Sequence, residues 1–232
     1  MIRYDFLFFL MKTEIAFILD RSGSMESIRP AAIDGFNAFL RDQQAAPDQA
    51  RFTLVFFESE TEARHISIPI SEIVPLDHET YIPGGCTALL DAIGETIDQL
   101  GRRFAAMPEA DRPEHVTVAI LTDGEENSSR HFTWGQIADR IKHQTEKYSW
   151  EFLFLGAGPD TIATAAQLHI HAANASRFVA DEAGQGSAMA GISRKTLASR
   201  AKKFGYANQQ QLEDEAKPMS DLVREEDEKR RK

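Results

Sequence analysis

The sequence predicts a parallel, doubly wound α/β sheet with helices on both faces. Three observations carry this. Apolar runs of strand length alternate with segments of helical periodicity along almost the whole chain. The strongest runs, Thr13–Leu19 (TEIAFIL) and the one opening HVTVAILTDGEEN, are apolar nearly throughout, as strands buried on both faces must be. Both end at an aspartate, Asp20 and Asp123, where a strand would hand over to a loop.

In order, residues 13–19 form the first strand and 30–41 a helix, with Pro30 suited to its first turn and Ile33, Phe36 and Leu40 on one face. Residues 51–59 form a second strand. Residues 63–71 alternate and contain Pro69, which marks an edge strand paired with its neighbour. After a Pro-Gly-Gly turn a helix starts at Thr87, striped by Leu90, Ile93, Ile97, Leu100 and Phe104. The strand ending at Asp123 is followed by a helix over 132–148, with Trp134, Ile137 and Ile141 inward. Then come the strand WEFLFLGAG, a helix over 160–168, a short strand at 177–180 and a last helix over 186–204. Residues 205–232 shift to Gln, Glu, Asp, Lys and Arg, which predicts a solvated, flexible tail or frayed helix. The division is therefore an N-terminal extension over 1–12, one domain over 13–204 and the tail. Translation is expected to start at Met11.

The 232 residues suffice for one domain with a full core. A net charge of −10 argues against a nucleic-acid-binding face. The apolar run Phe6–Met11 is too short to cross a membrane and lacks a signal peptide's cleavage site. The single cysteine, Cys86, precludes an internal disulfide and fits a reducing, cytoplasmic setting; it reads as a small buried thiol.

Ligands of doubly wound sheets bind beyond the carboxyl ends of the strands. Three loops in that class of position carry matching chemistry: Asp20-Arg-Ser22-Gly-Ser24, Gly84-Gly85-Cys86-Thr87 and Thr122-Asp123-Gly124-Glu125. Positions two apart on an extended loop can converge on one point. Carboxylates and hydroxyls without histidine or cysteine make a hard-oxygen set, suited to magnesium, manganese or calcium rather than zinc. Asp20 could instead cap a helix or act as a nucleophile, and Thr87 could cap the helix after it. Haloacid-class phosphatases place a second aspartate two residues after the first, where this chain has Ser22. Response-regulator receivers need an acidic pair and a later lysine, which cannot be placed here. Gly156–Asp160 (GAGPD) reads as a tight turn, Glu125 and Glu126 as an acidic rim or an exposed loop, His169 and His171 as surface residues, and Met25 as packing under the first loop.

Asp20, Ser22 and Ser24 (FILDRSGSM), Thr87 (GGCTAL) and Asp123 (LTDGEEN) resemble, over about residues 13–204, the metal-ion-dependent adhesion site of von Willebrand factor A-type domains, as found in intracellular, bacterial-type members. The resemblance implies a Rossmann-like, mostly parallel sheet with one short antiparallel edge strand, for which 63–71 is the candidate. It implies that Ser22, Ser24 and Thr87 ligate a divalent cation, magnesium first and manganese or calcium otherwise. Asp20 and Asp123 would reach it directly or through water. A partner protein's aspartate or glutamate would complete the coordination, the partner being an ATPase or a multiprotein assembly. The function expected is non-enzymatic, metal-dependent protein binding. The alternative is a magnesium-dependent phosphohydrolase using Asp20 or Asp123.

Overall fold

A computed structural model describes residues 12–232. The expectations for Met11 and the segment before it lie outside the described residues; Lys12, assigned to the extension, instead opens the first strand, paired with Gln49. The strands are β1 (Lys12–Asp20), β2 (Gln49–Phe57), β3 (Thr61–Pro69), β4 (His115–Thr122), β5 (Glu151–Gly156) and β6 (Ala175–Arg177). They form one sheet in the order β3-β2-β1-β4-β5-β6, parallel except for β3, which runs antiparallel along the edge of β2. The helices are α1 (Arg29–Gln44), α2 (Leu89–Ala105), α3 (Trp134–Tyr148), α4 (Thr161–Gln167), α5 (Glu182–Lys203), α6 (Gln209–Ala216) and α7 (Met219–Arg230).

Alternation along β1 explains the two layers. Ile15, Phe17 and Leu19 pack with Phe36 and Phe39 of α1 and Met189 and Ile192 of α5. Ala16 and Ile18 pack with Ile93, Ile97 and Leu100 of α2 and Ile137 and Ile141 of α3. A central strand buried on both faces therefore has no polar side to present. The stripe read on α2 is buried as expected. At Gly94, on the same helix, an added Cβ would sit 2.7 Å from the Phe132 ring. Gly94→Ala is thus expected to cost about 1–2 kcal/mol, overpacking outweighing the gain in helix propensity. Urea denaturation midpoints test this, and an unchanged or higher midpoint would contradict the packing.

Three of the differences from expectation have a visible cause. The helix over α3 begins at Trp134, because a reciprocal cap between Thr133 and Gln136 fixes its start. The last short strand is Ala175–Arg177 rather than 177–180, since Phe178 donates to Gly156 O at the strand's very end. Residues 209–230 are largely helical: α6 and α7 fold back on α5. Met219, Leu222 and Val223 are buried there, and Arg194 pairs with Asp214, Glu225 and Glu226.

Candidate metal centre

The order of the strands creates the site. From β1 the chain winds outward through β2 and β3, then returns to β4 on the other side, so the chain leaves the carboxyl ends of β1 and β4 toward opposite edges of the sheet. Leu19 pairs with Leu121, which sets Asp20 beside Thr122. The Thr122 hydroxyl donates to Asp20 Oδ2 at 2.5 Å and the Ser22 amide to Oδ1 at 2.7 Å. Tyr81, wholly buried, donates to the Asp20 carbonyl. With both carboxylate oxygens already engaged and the residue fully buried, Asp20 is poorly placed to act as a nucleophile.

The middle loop is stitched to the first by Gly84 N to Arg21 O (2.9 Å) and Gly23 N to Gly85 O (3.3 Å). Gly85 has φ +68°, and a Cβ there would lie 2.7 Å from Ser59 Oγ, so only glycine suits the turn. Thr87 is tied to the third loop through Asn127, whose side chain accepts from the Thr87 amide and whose own amide donates to Thr87 O.

Thr87 does not cap α2, which starts at Leu89. Capping comes from the third loop: Glu126 accepts from the Leu90 amide and Ser129 Oγ from that of Asp91. The Thr87 hydroxyl makes no hydrogen bond among the described residues. Glu126 also accepts from the amides of Ser128 and Ser129, so it builds the loop rather than forming a rim. Asn127 and Tyr81 were not singled out by their sequence context, and Thr122 and Glu126, though noted there, were not given these supporting roles.

Ser24 Oγ donates to Asp123 Oδ1 at 2.6 Å, and the Ser22 and Ser24 hydroxyls are 3.1 Å apart. A hydroxyl has one proton, so Ser22 donates to Ser24 and Ser24 to Asp123, leaving lone pairs on both serines for an electrophile. A Cβ added to Gly124 would sit 3.1 Å from Thr87 Oγ1 and 3.7 Å from Ser24 Oγ. The two hydroxyls therefore flank a space that any other residue would fill. The structure brings Asp20, Ser22, Ser24, Thr87 and Asp123 together at one pole.

Electrostatics mark the same place. Burial pushes the Asp20 carboxyl up to about 6, with the neighbouring Asp123 adding to the rise, and burial also raises Asp123. Neither forms an ion pair among the described residues. Arg21, between Asp20 and Ser22, turns away to Glu62 and Glu58 and stacks on Phe56. Two poorly solvated carboxylates and three hydroxyls with no cation beside them fit a hard divalent ion. Among the described residues, no group of three or more His, Cys, Asp and Glu side chains could hold a metal.

The remaining candidates separate cleanly. Met25 is buried beneath the first loop. Cys86 is exposed, not buried, because it stands on the outer side of the Gly-Gly turn with its amide held by Ser59. Gly156–Asp160 is the turn from β5 to α4, and His169 and His171 are on the surface. No helix of the described residues is long and apolar enough to cross a membrane.

No protein-family model and no curated protein matches the chain. Solved structures do. Proximal thread matrix protein 1 from the mussel byssus aligns with TM-score 0.54 over 81% of this chain and 46% of its own, at 15% identity. A von Willebrand factor type A structure from Catenulispora acidiphila aligns with TM-score 0.52 over 84% and 43%, at 19% identity. The mussel protein with a zinc-occupied MIDAS motif aligns with TM-score 0.54 over 81% and 46%, at 17% identity. The chain spans less than half the length of these structures. They establish its fold, a Rossmann-like architecture of the von Willebrand factor A type.

Proposed function

We propose that, on this von Willebrand factor A-type fold, the three loops hold one divalent cation and that the chain is a metal-dependent protein-binding module. The observation that carries the reading is the convergence of a buried carboxylate, a half-buried one and three hydroxyls with no positive side chain among them. Ser22, Ser24 and Thr87 would hold the ion through their hydroxyl oxygens, and Asp20 and Asp123 directly or through water. When bound, the ion supplies a Lewis-acidic position open to a carboxylate of a partner protein. Asp20, fixed by the Ser22 amide and the Thr122 hydroxyl, orients the first loop. Asp123 orders the serine hydroxyls by accepting from Ser24.

The donor set favours magnesium, then manganese or calcium. The mussel relative's zinc adds support for a divalent ion at such a motif. A protein partner is favoured by three exposed apolar residues: Ile82 just before the middle loop, Val179 just after β6 and Ile162 at the start of α4. We further propose a cytoplasmic setting, which suits one exposed thiol, and a multiprotein assembly with an ATPase among its members as the partner.

Calorimetric titration with magnesium and manganese should show one ion per chain. At an ion concentration of 100 Kd the protein should gain about 2.7 kcal/mol and melt about 5–10 °C higher, reversibly with chelator. Ser24→Ala should diminish both effects. No heat and no melting shift with magnesium, manganese or calcium would sink the proposal. Phosphatase turnover lost on Asp20→Asn would replace it with hydrolysis.

A further inference from the structure

A cavity of about 180 Å³ opens beside the candidate metal centre, between the Asp123 loop and the turn from β5 to α4. The two are contiguous, since Thr122 and Gly124 belong to both. Leu89, Trp134 and Phe154 supply its apolar walls. Glu125, Glu126 and Asp160 supply its charge, and no lysine, arginine or histidine lines it. Glu126 is spent on backbone amides. The Glu125 and Asp160 carboxylates are exposed and have no hydrogen bond or ion pair among the described residues.

We infer that this cavity receives a basic side chain, arginine or lysine, of the partner segment whose carboxylate occupies the metal centre. The inference deepens the proposed function and rests on it. The space equals about six waters, which admits one long side chain and not a folded segment. A basic side chain matches both parts of the lining. Its methylene stem covers apolar wall, and its charged head reaches free carboxylates and the Trp134 face. A neutral apolar side chain would leave the two carboxylates unmatched, and an acidic one would be repelled. Selectivity for the partner then depends on two charges of opposite sign on one segment, set side by side.

Butylguanidinium and its neutral isostere butylurea test this on the full chain, followed by the indole N–H resonance of Trp134, assigned with Trp134→Phe. Trp150, buried at the opposite end of β5, serves as internal control. Butylguanidinium should move the Trp134 resonance saturably, with and without magnesium, while butylurea leaves it in place. Asp160→Asn and Glu125→Gln should each weaken binding about two- to fivefold. An unmoved Trp134 resonance, or an equal response to butylurea, overturns the inference. Because the probe needs no ion, a chain that fails to bind magnesium but still binds butylguanidinium refutes the proposed function and leaves the cavity's preference standing.

Discussion

Asp20→Asn is expected to stabilise the metal-free protein at neutral pH while abolishing ion binding. The carboxyl of Asp20 has its pKa raised from 3.8 to about 6 by burial. A carboxylate whose folded pKa lies above its unfolded value penalises the fold whenever it is ionised. The penalty is complete above about pH 6 and disappears as pH falls below 3.8. At 1.36 kcal/mol per unit it amounts to about 3 kcal/mol. Asparagine removes it and keeps the contacts: its oxygen can accept from the Ser22 amide, and its amide can donate to Thr122 Oγ1, whose own proton has Gly124 O at 3.0 Å. Urea denaturation in chelator should show the variant more stable than wild type at pH 7.5, the gap closing toward pH 4. A gap independent of pH would refute the argument. Magnesium should then stabilise the wild type and leave the variant unmoved.

Arg200→Ala is expected to cost about 3–5 kcal/mol, because it strands the charge of Asp48 in the interior. The pair is fully buried, with Arg200 Nη2 at 2.9 Å from Asp48 Oδ1, and Arg200 also donates to the backbone and side chain of Gln43. Asp48 further accepts from Thr13 and Tyr206. These contacts join the start of β1, the approach to β2 and the end of α5, all at the pole opposite the candidate metal centre. The variant that remains folded should therefore bind magnesium with wild-type affinity. Denaturation midpoints and calorimetry together separate the two effects; a loss under 1 kcal/mol would show that water or other side chains replace the guanidinium.

Much of the candidate centre was legible because its chemistry uses unusual local patterns. Two serines flanking a glycine after an aspartate, and a glycine pair before a threonine, have few other reasons to stand at strand ends. The supports were not legible, since each is an ordinary residue acting across long separations. Glu126 caps a helix by accepting from the amide of Leu90, 36 residues earlier in the chain, and Tyr81 reaches back to Asp20. Central strands were plain because burial on both faces leaves apolar runs. The C-terminal helices were hidden for the opposite reason: three buried residues, Met219, Leu222 and Val223, stand among charges whose partners lie on α5. Composition alone cannot distinguish such ion pairing from a solvated tail.

The placement of β4 beside β1 has a kinetic consequence. Asp20 and Thr122 meet across 102 residues, and the chain between them must lay down β2, β3 and α2 first. Closing so long a loop carries an entropic cost that is met only when the central pairing forms. No short fragment then brings the residues of the candidate centre together. Added magnesium should leave the refolding rate nearly unchanged and slow unfolding, as for any contact completed after the transition state. The ion would act as a latch fastened after assembly, its capture following the moment at which the two halves of the sheet join.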